Sequence, residues 1–306
     1  MKTIQTFLFL AAAVVLASCG GGSFQKTKSG LLYKVIADGK GQQLKPGDYI
    51  KLHVIVKQKD SITFNSYGKV PAYTMIDSGR TYDISEMLPK LKVGDSAVVV
   101  QLADSIAKQQ MGQFPPGLNR GDKITFTFRI LGVFKDMAAF QADVQKEMDI
   151  QKEREIAVLE KHLKSKGINA VKSPKGALVE IIEPGTGAKP DSGKQVSLKY
   201  TGTNLEGKKF DSNVDTTFGH TDPLQFVIGQ MGMIPGFEEG AKLLMKGGKA
   251  RVYVPSMLGY GMQGRAPSIQ PYENLVFEIE LLDITDAPKQ QAPPVVPTAP
   301  AAGEKK

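Results

Sequence analysis

Ile124-Thr125-Phe126-Thr127-Phe128-Arg129-Ile130 and Leu275-Val276-Phe277-Glu278-Ile279-Glu280-Leu281 share one pattern, in which every second side chain is apolar. Successive side chains of a strand point to opposite faces, so period two with one apolar face predicts half-buried antiparallel strands. Ile50, Leu52, Val54 and Val56 repeat the pattern upstream, as do Val196, Leu198 and Tyr200. Like strands recurring at long separation point to an internal repeat. Adding 146 carries Gly30, Gly39, Gly41, Gly47 and Phe64 onto Gly176, Gly185, Gly187, Gly193 and Phe210. Glycine marks positions that need unusual backbone angles, so shared glycines imply shared turns. Leu91-x-x-Gly94 matches Leu244-x-x-Gly247 at a changed offset, which places an insertion or deletion between them. Two copies make a tandem pair and not a solenoid.

A chain of 306 residues suits two domains at roughly 150 residues each. Hydrophobic residues at 41% and charged residues at 23% supply two cores and exclude wholesale disorder. The net charge is +8, but the basic residues are scattered, without an arginine-rich arm or a basic helix. That excludes nucleic acid as the expected partner. His53, His162 and His220 lie far apart and Cys19 is the lone cysteine. No intramolecular disulfide, metal site or Cys/His nucleophile follows from such a set. No P-loop or nucleophile elbow is present. No cofactor is implied, and the histidines are expected at the surface.

The first residues read as an address. Lys2 is followed by an apolar run, Phe7 to Ala17, too short to span a bilayer. It ends in Leu16-Ala17-Ser18-Cys19, which resembles the bacterial lipobox; plain secretory cleavage is the alternative. The resemblance implies a signal peptide over 1–18, lipidation at Cys19 and a flexible tether over 19–28. Several acyl chains on one residue would anchor stably. The expected location is the bacterial cell envelope, on the outer membrane facing the periplasm.

Between the copies, Asp136 to Lys166 holds no Gly or Pro and is rich in helix formers. Phe140, Val144 and Met148 form one stripe, Ile156, Leu159 and Leu163 another, with Asp149 to Glu155 nearly all polar between them. This predicts a helical connector over 135–168, each end packing on a domain. A dimerising arm giving a homodimer is the alternative, opposed by the broken heptad. The domains are expected over 29–134 and 169–286, with a disordered Pro/Ala-rich tail over 287–306.

The second copy carries the informative motifs: Tyr200-Thr201-Gly202, then Gly207-x-x-Phe210-Asp211-Ser212, then Met233-Ile234-Pro235-Gly236-Phe237-Glu238-Glu239-Gly240 opening a short helix, then Tyr260-Gly261 and a closing Leu275-x-Phe277. Their order and spacing resemble the FKBP-type peptidyl-prolyl cis-trans isomerases across about 110 residues. The resemblance implies an α+β fold of two domains, each an antiparallel sheet curled around a short helix, joined by the long helix. It implies a catalytic Tyr260 and Asp211, and a prolyl pocket of Tyr200, Phe210, Phe226, Met233, Ile234, Phe237, Ile269 and Phe277. Three departures stand out: Phe237 replaces the family's usual tryptophan, Leu224 replaces an aromatic, and the long segment Ser212 to Asp222 lacks the arginine that often pairs with the pocket aspartate.

Such a pocket can do chemistry without a nucleophile. Rotation about an X-Pro bond must break amide resonance, a barrier of about 18–20 kcal/mol. A dry aromatic cavity favours the twisted amide, which has lost charge separation, and complementarity to that state is catalysis. Tyr260 would hold the peptide carbonyl and Asp211 the polar edge. Each residue has a plainer role: Tyr200, Phe237 and Phe277 as core aromatics, Asp211 as a turn cap. Tyr260 between glycines is the least explained by packing. In the first copy the shared register sets Val54 at Tyr200, Asn65 at Asp211 and Ile84 at Phe237, and Leu102 to Gly117 is polar, proline-bearing and without a Tyr-Gly pair. That copy is expected to be degenerate.

The leading reading is an isomerase assisting the folding of exported proteins, with unfolded or proline-containing polypeptides as clients. A holdase or peptide-binding module with little catalysis is the second, and a structural envelope lipoprotein the third.

Overall fold

The computed structural model describes residues 23–36, 39–77 and 79–288. Cys19, the leader and nearly all of the tail lie outside the described residues. The chain divides into two compact units at Met148 and Asp149.

Unit 1 contains β1 (Gln25–Lys26), β2 (Leu32–Ile36), β3 (Tyr49–Gln58), β4 (Ser61–Asn65), β5 (Ala72–Met75), β6 (Ser96–Leu102), α1 (Ala103–Gln109) and β7 (Lys123–Phe134). α2 (Met137–Ser165) crosses the division. Unit 2 contains β8 (Val171–Lys172), β9 (Leu178–Glu183), β10 (Lys194–Asn204), β11 (Lys209–Ser212), β12 (Leu224–Val227), α3 (Pro235–Ala241), β13 (Lys249–Val254) and β14 (Leu275–Asp286). The first sheet runs β1-β2-β6-β7-β3-β4 with β5 also on β3; the second runs β8-β9-β13-β14-β10-β11 with β12 also on β10. The topologies are the same strand for strand, and every pairing is antiparallel.

The repeat extends to detail. Each long central pairing carries a bulge at the same place, between Lys51 and Leu52 and between Ser197 and Leu198. Gly94 N–H donates to Ile130 as Gly247 N–H donates to Leu281. Gly30 and Gly176, and Gly47 and Gly193, pair off with positive φ, as shared turns require.

One assignment is corrected. Tyr200 N–H donates to Asn213 Oδ1 (2.7 Å), and Val54 N–H donates to Ser66 Oγ (2.8 Å). Gly202 faces Asp211 across the sheet, and Val56 faces Phe64. After β3 the copies are therefore offset by one residue more than the glycines indicate. Phe64, not Asn65, occupies the position of Asp211, and Thr63 that of Phe210.

α3 lies directly on β13. A Cβ added to Gly236 would strike Val254, and one added to Gly240 would strike Val252. Valine is stiff at χ1 and cannot step aside freely. Unit 1 has Asp83 and Met87 at the matching places, and forms only two 3-10 turns, Ile84–Glu86 and Leu88–Lys90. The polar, proline-bearing stretch after Leu102 begins with α1, whose Ala103 and Ala107 are buried, Ala103 with Leu118 and Ile124.

α2 is anchored at both ends. Its first half places Phe140 against Tyr49 (ring centroids 4.9 Å) and Tyr73 (5.5 Å), and Asp143 and Glu147 grip Lys51 at 2.9 and 2.7 Å. Burial pulls the Lys51 amine down, but the bonds to Glu147 and Asp143 outweigh it and leave it raised. In the second half, Leu159 and Leu163 pack with Leu178, Tyr253 and Val276, and Ile156 packs on Gly176. Unit 2 thus includes helix residues upstream of 169. Gln25 and Lys26, in the stretch expected to be tether, pair with Tyr33 and Leu32.

Two outcomes follow. A fragment starting at Asp149 should unfold cooperatively, whereas one starting at Asn169 uncovers Leu178, Tyr253 and Val276, each worth about 1.5–3 kcal/mol when fully buried. Urea unfolding of both fragments, with equal midpoints, would contradict the helix belonging to unit 2. Gly240→Ala should lower stability by about 1–3 kcal/mol through overpacking against Val252, measured as a fall in the same midpoint.

Candidate functional site

The site of unit 2 is assembled by β10, β11, β12, α3, β14 and the loop after β13. Phe237, 1% exposed, is its hub. Its ring meets those of Phe277 (centroids 5.1 Å), Tyr200 (5.8 Å) and Phe226 (6.1 Å), all edge-on. Phe210 packs edge-on against Phe277 at 5.6 Å. Such arrangements match positive ring edges to negative ring faces. Met233, Ile234 and Tyr260 pack against the same cluster, and Ile269 is buried within it. The expected apolar residues are therefore brought together.

Gly202 makes room for them. A side chain there would fall 2.6 Å from Phe210 Cζ and 3.0 Å from Phe277 Cε1. Unit 1 carries Val56 at that place, Val54 for Tyr200, Thr63 for Phe210 and Phe64 for Asp211. The aromatic cluster of unit 2 has no counterpart at these four positions of unit 1.

The polar edge centres on Asp211. Tyr200 Oη donates to Oδ2 at 2.9 Å, and His220 Nε2 lies 2.9 Å from Oδ1. The turn-capping role open to Asp211 falls elsewhere: Ser212 Oγ accepts from Val214 N–H (3.1 Å) and Asp215 N–H (3.0 Å). Desolvation first, and then the bond to Asp211, raises the Tyr200 phenol above its ordinary value, so it stays protonated and remains a donor.

His220 lies at the surface, as expected, and there it meets the rim of the site. It sits in the long segment after Ser212, where a 3-10 turn over Thr216–Phe218 ends at Gly219 with φ 77°. The left-handed glycine turns the chain so that His220 faces Asp211, at the edge where the expected arginine is missing. Arg265 also approaches, its guanidinium carbon 6.0 Å from the Tyr260 ring centre. Tyr260 first, and then the charge of Asp211, raise the Arg265 value.

A groove of about 620 Å³ adjoins Phe226 and Met233, with Gln195, Leu224 and Gln230 on its walls. Among the described residues no group of three His, Cys, Asp or Glu is placed to hold a metal.

Comparison with known proteins bears on residues 186–282, which match the family described as FKBP-type peptidyl-prolyl cis-trans isomerase. The chain is 36% identical over 109 residues to the FK506-binding protein of Neisseria meningitidis serogroup B, covering 36% of this chain and 96% of that one. It is 36% identical over 166 residues to the FKBP-type peptidyl-prolyl cis-trans isomerase FkpA of Escherichia coli (strain K12), covering 54% of this chain and 58% of that protein. The crystal structure of FkpA from Escherichia coli aligns with TM-score 0.37 at 36% identity, over 50% of this chain and 71% of that one.

The turn that presents His220 can be titrated. Asp215 accepts from Lys209 Nζ (2.7 Å), Thr217 Oγ1 (2.7 Å) and Thr217 N–H (3.1 Å), and these bonds, led by Lys209, hold its carboxyl at about 2. An unfolded aspartate titrates near ~3.9. The depressed value means that Asp215 supports the turn fully above ~4 and loses that support as pH falls toward 2. Carboxyl carbon NMR should find the Asp215 midpoint near pH 2; a midpoint at the ordinary ~3.9 would show the turn unformed.

Proposed function

The chain belongs to the FKBP-type peptidyl-prolyl cis-trans isomerase family, and from that premise we propose that unit 2 catalyses rotation about X-Pro bonds in polypeptides. The observation that carries this reading is the cluster of aromatic rings around Phe237, with a loop-borne tyrosine packed against it. The prolyl ring enters among Phe210, Phe226, Ile234, Phe237 and Phe277. Tyr260 donates its phenol hydrogen to the peptide carbonyl on the N-terminal side of the proline. Asp211, held by Tyr200 and His220, sets the polar edge against which the carbonyl turns. No bond is made or broken and no proton is transferred. The planar amide carries charge separation that the apolar walls solvate poorly, whereas the twisted amide has lost it. The cavity therefore lowers the barrier of about 18–20 kcal/mol from the transition-state side.

The leader supports a setting for this activity: a lipid-anchored protein of the bacterial cell envelope, attached through Cys19 to the outer membrane and facing the periplasm. Its clients would be exported polypeptides with prolines still to be sorted between isomers, a step that takes tens to hundreds of seconds uncatalysed.

A second reading rests on unit 1. Its edge strand β4 leaves Ile62 56% exposed and Phe64 46% exposed. An apolar strand edge is a surface for unfolded chain, which favours holdase action alongside catalysis.

The test is exchange NMR of a proline peptide with the full chain. Tyr260→Phe should lower kcat/KM about tenfold, the equivalent of one hydrogen bond. Asp211→Ala should do the same or more, with the fold intact by circular dichroism. Suppression of aggregation of a denatured client should survive both changes if unit 1 is the gripping surface. A folded wild-type protein without catalysed exchange would sink the isomerase reading.

A further inference from the structure

Glu155 lies in the part of α2 that is nearly all polar in sequence, yet it is only 6% exposed. Its carboxylate has no cation partner among the described ion pairs. Instead it accepts from Ser256 Oγ at 2.7 Å, from Met257 N–H at 3.0 Å and from Gln151 Nε2 at 2.9 Å. Gln151 is itself buried, and its amide oxygen has no hydrogen-bond partner. Burying a charged group is expensive unless hydrogen bonds replace its water. Packing of α2 on unit 2 gives no reason for it, since Ile156, Leu159 and Leu163 already supply the apolar contact.

The groups that Glu155 holds give the reason. Ser256 and Met257 open the turn that leads to Tyr260. Ser256 is completely buried, and its N–H donates to Asn274 Oδ1 at 2.9 Å. Its carbonyl accepts from both Gly259 N–H and Gly261 N–H, each at 2.8 Å. Those amides flank Tyr260 on either side. Glu155 thus grips the hydroxyl of the residue whose carbonyl brackets the tyrosine, and the next amide along the turn.

We propose that Glu155 is a positioning residue for Tyr260: acting through Ser256 and Met257, it fixes where the phenol stands over the prolyl cavity. The helix that leads into unit 2 is then part of the support of its site. The inference rests on the isomerase reading and names a residue that the family motifs do not include.

The test is a double-mutant cycle in the full chain, using Glu155→Gln, Ser256→Ala and Tyr260→Phe, singly and combined. Glutamine keeps the shape but lacks the charge and one acceptor. Glu155→Gln should lower kcat/KM for a proline peptide about tenfold, of the order of one lost charge-assisted anchor. Peptide affinity, measured by NMR titration, should change by less than about twofold, and exchange of the Gly261 amide should accelerate. In the Tyr260→Phe background, Glu155→Gln should have no further effect on rate, because residues acting through one another are non-additive. Ser256→Ala should give a smaller loss that also disappears in that background, and it serves alone if Glu155→Gln does not fold. Equal losses with and without the tyrosine hydroxyl would overturn the proposal. So would a lower melting temperature with an unchanged rate in the folded protein. Absence of catalysis in the wild type is a separate result, which removes the isomerase reading and this inference with it.

Discussion

The site depends on how closely α3 can approach β13. Gly236 and Gly240 present no side chain toward Val254 and Val252, so the helix rests on the sheet at backbone distance. That depth puts Phe237 where three aromatic rings meet it edge-on. A bulkier residue at either glycine would lift the helix, move the floor of the cavity and leave Phe210, Phe226 and Phe277 around a void. Packing defects of that kind are felt at the scale of single methylene groups.

The two units show that topology and site are separable. Both carry the same seven-stranded arrangement, down to the position of the central bulge. Only one keeps the small residues that a cavity needs. Where unit 2 has Gly202, unit 1 has Val56, and where unit 2 has a helix over two glycines, unit 1 has 3-10 turns around Met87. Apolar alternation is enough to pair strands and bury a core. Forming a pocket requires, in addition, chosen absences of side chain.

Polar groups at the rim follow a different logic. Asp211 is free to face Tyr200 and His220 because Ser212 and Asp215 meet the backbone demands of the turn beside it. Polar atoms of the site take partners from outside its own strands: His220 from the loop after Ser212, Glu155 from the helix that enters the unit. Each was legible as a residue type and illegible as a role. A histidine nine positions after an aspartate carries no periodic signal, and a glutamate in a polar run of helix gives no sign of burial.

The sequence by itself determined the strands, the tandem repeat and the long helix, and its resemblance to a known family pointed to ten candidate residues in the second copy. These are carried by period-two and helical patterning, by glycines at fixed turns and by five ordered motifs, all of which are local along the chain. Only the tertiary structure decided which residues oppose one another. It moved the repeat by one position after β3, because register is set by cross-strand hydrogen bonds and not by spacing from a glycine. It turned a polar stretch into α1, because Ala103 and Ile106 found apolar partners in Leu118 and Ile124. It drew the second half of α2 into unit 2, since Leu159 and Leu163 cover strands far along the chain. Contacts between distant segments are fixed by packing and by the partnering of buried polar atoms, and neither leaves a mark in local sequence.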